Sequence, residues 1–372
     1  MNSFPPAIVG MKIQDVDTPS LIIDLDAFEK NIRLMAASLD SDKVQVRPHA
    51  KSHKCPDIAH RQIAAGAAGV CCQKVSEAEA MADGGITDIL VANEIVGRTK
   101  LDRLAALAKR ASVAVCMDNT ENVWALGAIA SSFGVTLTVL VEIDVGGKRC
   151  GVQPGTAAVK LAREIISQPN LRFGGLQGYH GSAQHIRTVA GRRAAIADEA
   201  QKIQETLHLL ADAGIPCPRV TGAGTGSYVF EAASQLYTEL QPGSYIFMDA
   251  DYSNNEWAGS GTPAFEQSLF LWTTVMSTPT PERAVVDAGL KALSVDSGLP
   301  LVADFTDVEY AGASDEHGTL HMKGETRLAL GEKIRLIPGH CDPTVNLHDW
   351  FVCVRNDIVE ALWHITARGP GF

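Results

Sequence analysis

The chemistry of this sequence gathers around Lys51, in the run Arg47-Pro48-His49-Ala50-Lys51-Ser52-His53-Lys54. The run follows a β-branched stretch that reads as a strand, so Lys51 falls at a strand mouth. Partial withdrawal from water there lowers an amine's pKa and makes it nucleophilic toward a carbonyl. Lys51 is the candidate Schiff-base lysine. Lys54, where the next helix would start, is its competitor, and a surface loop of mixed charge is the other reading of the run. A second cluster, Thr221-Gly222-Ala223-Gly224-Thr225-Gly226-Ser227, is backed by Pro242-Gly243-Ser244. Glycines let backbone N–H groups close on a phosphate, although a tight turn has the same composition. A lysine for an aldehyde and a loop for a phosphate together suggest pyridoxal phosphate.

Three further groups carry chemistry. In His340-Cys341-Asp342-Pro343-Thr344, strand geometry would turn His340 and Asp342 to one side, toward a divalent cation. Imidazole plus carboxylate suits manganese, magnesium or similar ions, and a structural His–Asp hydrogen bond is the competing reading. His348, farther on, reads as structural. Gly178-Tyr179-His180-Gly181 and Gln184-His185 place two histidines, suited to proton transfer near neutral pH, after one strand. Arg149, within Gly147-Lys148-Arg149-Cys150-Gly151, is placed either to touch a cofactor or to face solvent.

These residues need a scaffold that brings strand ends together. From Val44 onward, β-branched runs alternate with helical patterns, the mark of βα units and a parallel sheet. Strands are predicted at Val44–Pro48, Gly69–Cys72, Asp88–Ala92, Ser112–Met117, Thr136–Glu142, Phe173–Tyr179, Arg219–Gly222 and Ser244–Met248. An alternation that ends at eight strands favours a (β/α)8 TIM-like barrel, whose active site lies at the C-terminal ends of its strands. His49, Lys51, Gln73, Asn93, Glu94, Asp118, Asn119, Asp144 and Arg149 collect at those ends. After Pro263 strands follow one another without long helices, predicting a C-terminal antiparallel β domain. The expected division is a barrel over 28–262 and a β domain over 263–372, with the strand in 12–27 joining the latter.

Composition narrows the partners. The chain has 372 residues, 46% of them hydrophobic, and a formal net charge of −11. Such a surface suits neither nucleic acid nor an anionic membrane. The eight cysteines are scattered without zinc spacing and read as reduced thiols. Met1 to Gly10 lacks the pattern of a signal peptide and no apolar run has membrane-spanning length, so a cytoplasmic location is expected.

Taken in order, several motifs resemble one family across nearly the whole length: Asp17-Thr18-Pro19-Ser20, Arg47-Pro48-His49-Ala50-Lys51, Gly69-Val70-Cys71-Cys72-Gln73-Lys74, Arg149-Cys150-Gly151, Gly222 to Ser227, Met248-Asp249-Ala250-Asp251-Tyr252, Val286-Asp287-Ala288-Gly289 and Gly339 to Thr344. The sequence resembles the metal-activated D-threonine aldolases, relatives of 3-hydroxy-D-aspartate aldolases, D-serine dehydratases and alanine racemases. The resemblance implies an alanine-racemase-like fold and pyridoxal 5'-phosphate on Lys51, with Arg149 at the ring nitrogen. It implies Gln73, Tyr179, Gly224, Thr225, Gly243 and Ser244 as cofactor contacts and His185 as base. A divalent metal (manganese, with magnesium or cobalt as alternatives) would sit on His340 and Asp342. The implied reaction is retro-aldol cleavage of a D-β-hydroxy-α-amino acid by a homodimer. A 3-hydroxy-D-aspartate aldolase is the close alternative. The dehydratases carry a His-x-Cys pair where this chain has His-x-Asp, which argues against elimination. A protein that holds the cofactor without turnover is typically a lone barrel.

Overall fold

The computed structural model describes residues 4–372; Met1–Ser3, the start of the segment read for a signal peptide, lie outside the described residues. Among the described residues, seventeen strands form two sheets. The first strand, β1 (Ser20–Asp24), precedes the barrel strands β2 (Gln45–Val46), β3 (Val70–Cys72), β4 (Asp88–Glu94), β5 (Ser112–Met117), β6 (Leu137–Ile143), β7 (Leu171–Gly178), β8 (Val220–Gly222) and β9 (Glu239–Leu240). The rest are β10 (Leu269–Thr280), β11 (Arg283–Val286), β12 (Leu301–Val302), β13 (Val308–Ala313), β14 (Gly318–Met322), β15 (Lys333–Ile337), β16 (Trp350–Arg355) and β17 (Ile358–His364).

Strands β2 to β9 are parallel and run in the order β2-β9-β8-β7-β6-β5-β4-β3. The ring closes through the His49–Cys71 bridge and the bond from Ala68 N to Val46 O, 2.9 Å. Helices cover the outside, so strands such as Val70–Cys72 are buried throughout and read as continuous apolar runs. Polar side chains cap two of these helices: the Asn119 side chain accepts from Asn122 N at 3.1 Å, and the Thr188 hydroxyl accepts from Gly191 N at 3.2 Å.

The barrel interior also holds a polar spine. Arg47, 2% exposed, donates to Glu239 at 2.9 Å and to Asp88 at 2.7 Å. Thr221 donates to Glu239 at 3.0 Å, and Gln241 Nε2 donates to both Thr221 and Gln177 at 2.8 Å. A buried guanidinium is tolerable only when paired in this way, and the spine orders the floor beneath the barrel mouth.

The predicted eighth strand, Ser244–Met248, is not one. Ser244–Ile246 is a turn of 3-10 helix, and the eighth strand is Glu239–Leu240, paired with β2 and β8. Tyr245, Ile246 and Phe247 supply an apolar run because they are buried in the core, not because they lie in a ladder. In the second sheet, strands are predicted from the sequence at Leu269–Met276, Ala284–Asp287, Lys333–Ile337, Trp350–Val354 and Val359–Ile365, and β12, β13 and β14 are additional. The second sheet is antiparallel except that β1 lies parallel to β16 while pairing antiparallel with β10.

Two backbone bonds dock this second sheet's connection onto the barrel rim: Ala250 N to Pro338 O, 2.9 Å, and Asp251 N to Gly339 O, 3.1 Å. Asp249 reinforces them, its carboxylate accepting from Tyr252 N and Cys341 N at 2.9 Å each.

Candidate active site

A cavity of about 260 Å³ opens at the C-terminal ends of the barrel strands. Lys51, Gln73, Arg149, Tyr179, Gly224, Thr225, Gly243 and Ser244 all line it. Lys51, Gln73 and the loop of Arg149 are braced locally. Lys51 lies in a 3-10 turn whose preceding residue, His49, accepts from Lys51 N through Nδ1 at 3.4 Å. Gln73 is held by the buried Glu77, which accepts its N–H at 2.5 Å, and its amide lies 2.8 Å from His49 Nε2. The Arg149 loop is shaped by Asp144, which accepts from Gly146 N and Lys148 N at 3.0 Å, and by Asp118, which accepts from Gly151 N at 3.1 Å. Gly151, at φ +102, lets that loop pass close to Ile143, where a Cβ would come within 2.6 Å of backbone. The Arg149 guanidinium then lies 5.5 Å from the Tyr179 ring centre.

Lys54 does not line the cavity, leaving Lys51 as the amine of the site. The expected lowering of the Lys51 pKa does not hold. The Asp342 carboxylate, 2.7 Å from Nζ, keeps the ammonium above the ordinary lysine range, outweighing the opposing effect of burial. On Asp342 burial pushes upward, but Lys51 and then His340 pull the carboxyl well below the usual range. Both partners lie in one chain.

The strand geometry expected for His340 and Asp342 is also corrected. Asp342 lies in a short helix, Cys341–Val345, with His340 as its N-cap. Pro343 fits the first turn of a helix, which a strand reading overlooks. His340 Nδ1 is 2.9 Å from Asp296 Oδ2. His348 is structural as read, its Nε2 2.7 Å from Ala292 O.

His185 sits outside the cavity lining, beside it. Its Nδ1 meets Asp251 Oδ2 at 2.5 Å, and its ring is 6.0 Å from that of Tyr252, which does line the cavity. Arg187 pairs with Asp251 from the other side at 2.5 Å. Burial raises the Asp251 carboxyl, and Arg187 with His185 more than reverses this, holding it below the usual range.

Sequence reasoning gave no role to His49, Ser52, Gln177, Gln241 and Tyr252, all of which line the cavity. Gln177 carried a signal, as a polar residue within the apolar run Phe173–Tyr179. Burial, then the charge of Lys51, pushes His49 well below its ordinary value and keeps it neutral.

The family model described as "Alanine racemase, N-terminal domain" matches residues 23–251, and "Putative serine dehydratase domain" matches 268–354. A D-threonine aldolase of Arthrobacter sp. is 48% identical, over 98% of this chain and 96% of the relative. The chain belongs to the D-threonine aldolase family. A crystal structure of D-threonine aldolase from Filomicrobium marinum superposes on this member with a TM-score of 0.97 at 51% identity, covering 99% of this chain and 100% of that one. A 3-hydroxy-D-aspartate aldolase of Paracoccus denitrificans (strain Pd 1222) is 47% identical, over 99% of this chain and 96% of the relative.

The alanine-racemase-like family implies pyridoxal phosphate, and the residues of this D-threonine aldolase family member fit it. Ser52 Oγ is buried without a hydrogen-bond partner and faces the cavity, a hydroxyl left for a ligand to satisfy. Gly243 lies against it: a Cβ there would come 2.3 Å from Ser52 Oγ and 3.0 Å from His49 O. The two loops close on one end of the cavity only because Gly243 has no side chain, and the amine of Lys51 serves the same cavity.

Proposed function

We propose that this protein cleaves D-β-hydroxy-α-amino acids by a retro-aldol reaction, using pyridoxal phosphate and a divalent cation, with D-threonine giving glycine and acetaldehyde. The observation that carries the reading is the meeting of Lys51 and Asp342 at the mouth of a cavity lined by glycines and hydroxyls.

Lys51 would hold the cofactor's aldehyde carbon. Ser52, Thr225 and Ser244, with the backbone of Gly224 and Gly243, would hold its phosphate, and Arg149 would face the ring nitrogen with Tyr179 and Gln73 at the ring. When bound, pyridoxal phosphate supplies a sink for the electron pair released as the Cα–Cβ bond breaks. Asp251 fixes the imidazole of His185 through Nδ1, leaving Nε2 to take the proton of the β-hydroxyl.

His340 and Asp342 would hold the cation. The Asp296 carboxylate on His340 Nδ1 is the outer partner that metal-bound histidines commonly keep. Among the described residues there is no group of three or more metal-binding side chains, so most of the cation's shell would come from water and substrate. Manganese is the first choice, with magnesium and cobalt as alternatives, and its chemistry there is to acidify the β-hydroxyl.

A cytoplasmic homodimer is part of the same reading. The free cysteines suit a reducing compartment, and Leu290, Val295, Leu299 and Leu301 leave apolar surface exposed on the second sheet's side. So is a division into a barrel over 28–262 and a β domain over 263–372 with 12–27, supported by the pairing of β1 with β10 and β16.

The test is product analysis of protein loaded with manganese and pyridoxal phosphate, given D-threonine and 3-hydroxy-D-aspartate beside their L forms. Glycine plus aldehyde from the D forms supports the proposal, and the relative rates choose between the two aldolases. A 2-oxo acid plus ammonia would make it a dehydratase and overturn the reading.

A further inference from the structure

The turn that carries His185 and the loop Gly224–Ser227 belong to different βα units, yet one side chain joins them. Gln184, 1% exposed, accepts from Gly226 N through Oε1 at 2.9 Å. Its Nε2 donates to Ser227 Oγ at 2.7 Å and to His180 O at 3.3 Å. The amide has only one workable orientation, because the N–H of Gly226 can only donate and the carbonyl of His180 can only accept. Ser227 passes the direction on, its hydroxyl donating to the buried Glu231 at 2.5 Å.

The backbone of Gln184 is held as closely. Its carbonyl accepts from Asn255 Nδ2 at 2.9 Å. A Cβ on Gly224 would lie 2.6 Å from Gln184 Oε1, and one on Gly226 would lie 2.6 Å from Gln184 O. Two of the loop's glycines are therefore needed where they stand to admit Gln184, in addition to any role at a ligand. The next residue, His185, is held by Asp251.

We propose that Gln184 is a positioning residue that locks the Gly224–Ser227 loop to the His185 turn, so that the cofactor's phosphate and the base are carried on one rigid unit. This rests on the cofactor reading above. Gln184 does not line the cavity and acts through Gly226, Ser227 and His185. Losing buried hydrogen bonds while keeping side-chain volume should let the loop and the turn move independently.

The test compares wild type with Gln184→Met, which keeps the volume and removes the bonds. Equilibrium dialysis of the cofactor-free proteins measures affinity for pyridoxal phosphate and for pyridoxal, which lacks the phosphate. The expected result is a loss of about tenfold or more for pyridoxal phosphate, the scale of one or two buried hydrogen bonds, with pyridoxal affinity unchanged. At saturating cofactor, kcat should fall while the KM for the amino acid holds, since the base and not the substrate contacts has shifted.

Should Gln184→Met fail to fold, Ser227→Ala removes the Gln184–Ser227 bond, and the Ser227–Glu231 bond with it, but leaves Gln184 bonded to Gly226 and His180, and should shift the same ratio in the same direction by less. A wild-type preference for the phosphorylated form that these variants retain would overturn the proposal alone. A wild type without that preference would remove the cofactor reading, and this proposal with it.

Discussion

The two sides of the candidate site are built differently. The barrel wall draws on separate strand ends, with Lys51, Gln73, Thr225, Ser244 and the loop of Arg149 each held by bonds within its own loop or to the neighbouring one. The opposing segment, 338–342, brings His340 and Asp342 on a single turn of helix docked through Asp249 and two backbone bonds. A shared grip degrades gradually when one contact is lost, whereas the proposed cation site, with two protein ligands, would fail as a unit.

The largest effect breaks that contrast on its barrel side. Lys51 is the exception to the shared grip, being the only amine of the site. Lys51→Ala should lose detectable cleavage together with the visible absorbance of bound cofactor, read by spectroscopy of the purified variant. Gln73→Ala, by contrast, should keep the absorbance and only weaken cofactor binding.

Next comes the opposing segment. His340→Ala should retain the cofactor's absorbance but lose its response to manganese, with a rate loss on the order of a thousandfold if the cation supplies several kcal/mol of barrier lowering. Steady-state rates across a manganese titration measure this, and a variant still activated by manganese would remove His340 from the site. A smaller loss, about a hundredfold in kcat, is expected of His185→Asn, the lower part of the range for a general base. A wild-type rate in that variant would reassign the proton transfer.

The smallest effect concerns the support behind the Gly224–Ser227 loop. Burial raises the Glu231 carboxyl to about 7 from an ordinary 4.5. The folded protein keeps that proton over a pH window in which the unfolded chain has lost it. The stability linked to Glu231 is full below about 4.5 and is lost as pH rises through about 7. Urea unfolding between pH 5 and pH 8, about the window set by that shift, should show the stability of wild type falling relative to that of Glu231→Gln as pH rises.

The same contrast explains what the sequence could say. The barrel wall was legible because its residues sit next to strand-like runs that alternate with helices, so that Lys51, Arg149 and Tyr179 could be placed at one mouth by counting units. The closing strand was misplaced because Tyr245–Phe247 is apolar for burial in the core, while the true strand, Glu239–Leu240, is only two residues long. The opposing segment was legible in its residue types but not in its geometry. His-x-Asp has the same spacing on a strand and in a helical turn, and the pairing of Asp342 with Lys51 spans 291 positions. The partners Asp251, Arg187 and Asp296 are set by long-range packing that no local pattern carries. The Lys51 pKa was misjudged for that reason: burial was foreseen, and the facing carboxylate was not.

The most direct test is to load the protein with pyridoxal phosphate, reduce it with borohydride and map the labelled peptide by mass spectrometry. The label is predicted on Lys51 alone, in the tryptic peptide Val44–Lys54, because the Arg47–Pro48 bond resists trypsin and the labelled Lys51 is not cut. A label on Lys54 or another lysine, or no covalent label at all, would contradict the assignment of Lys51 as the residue at which the chemistry begins.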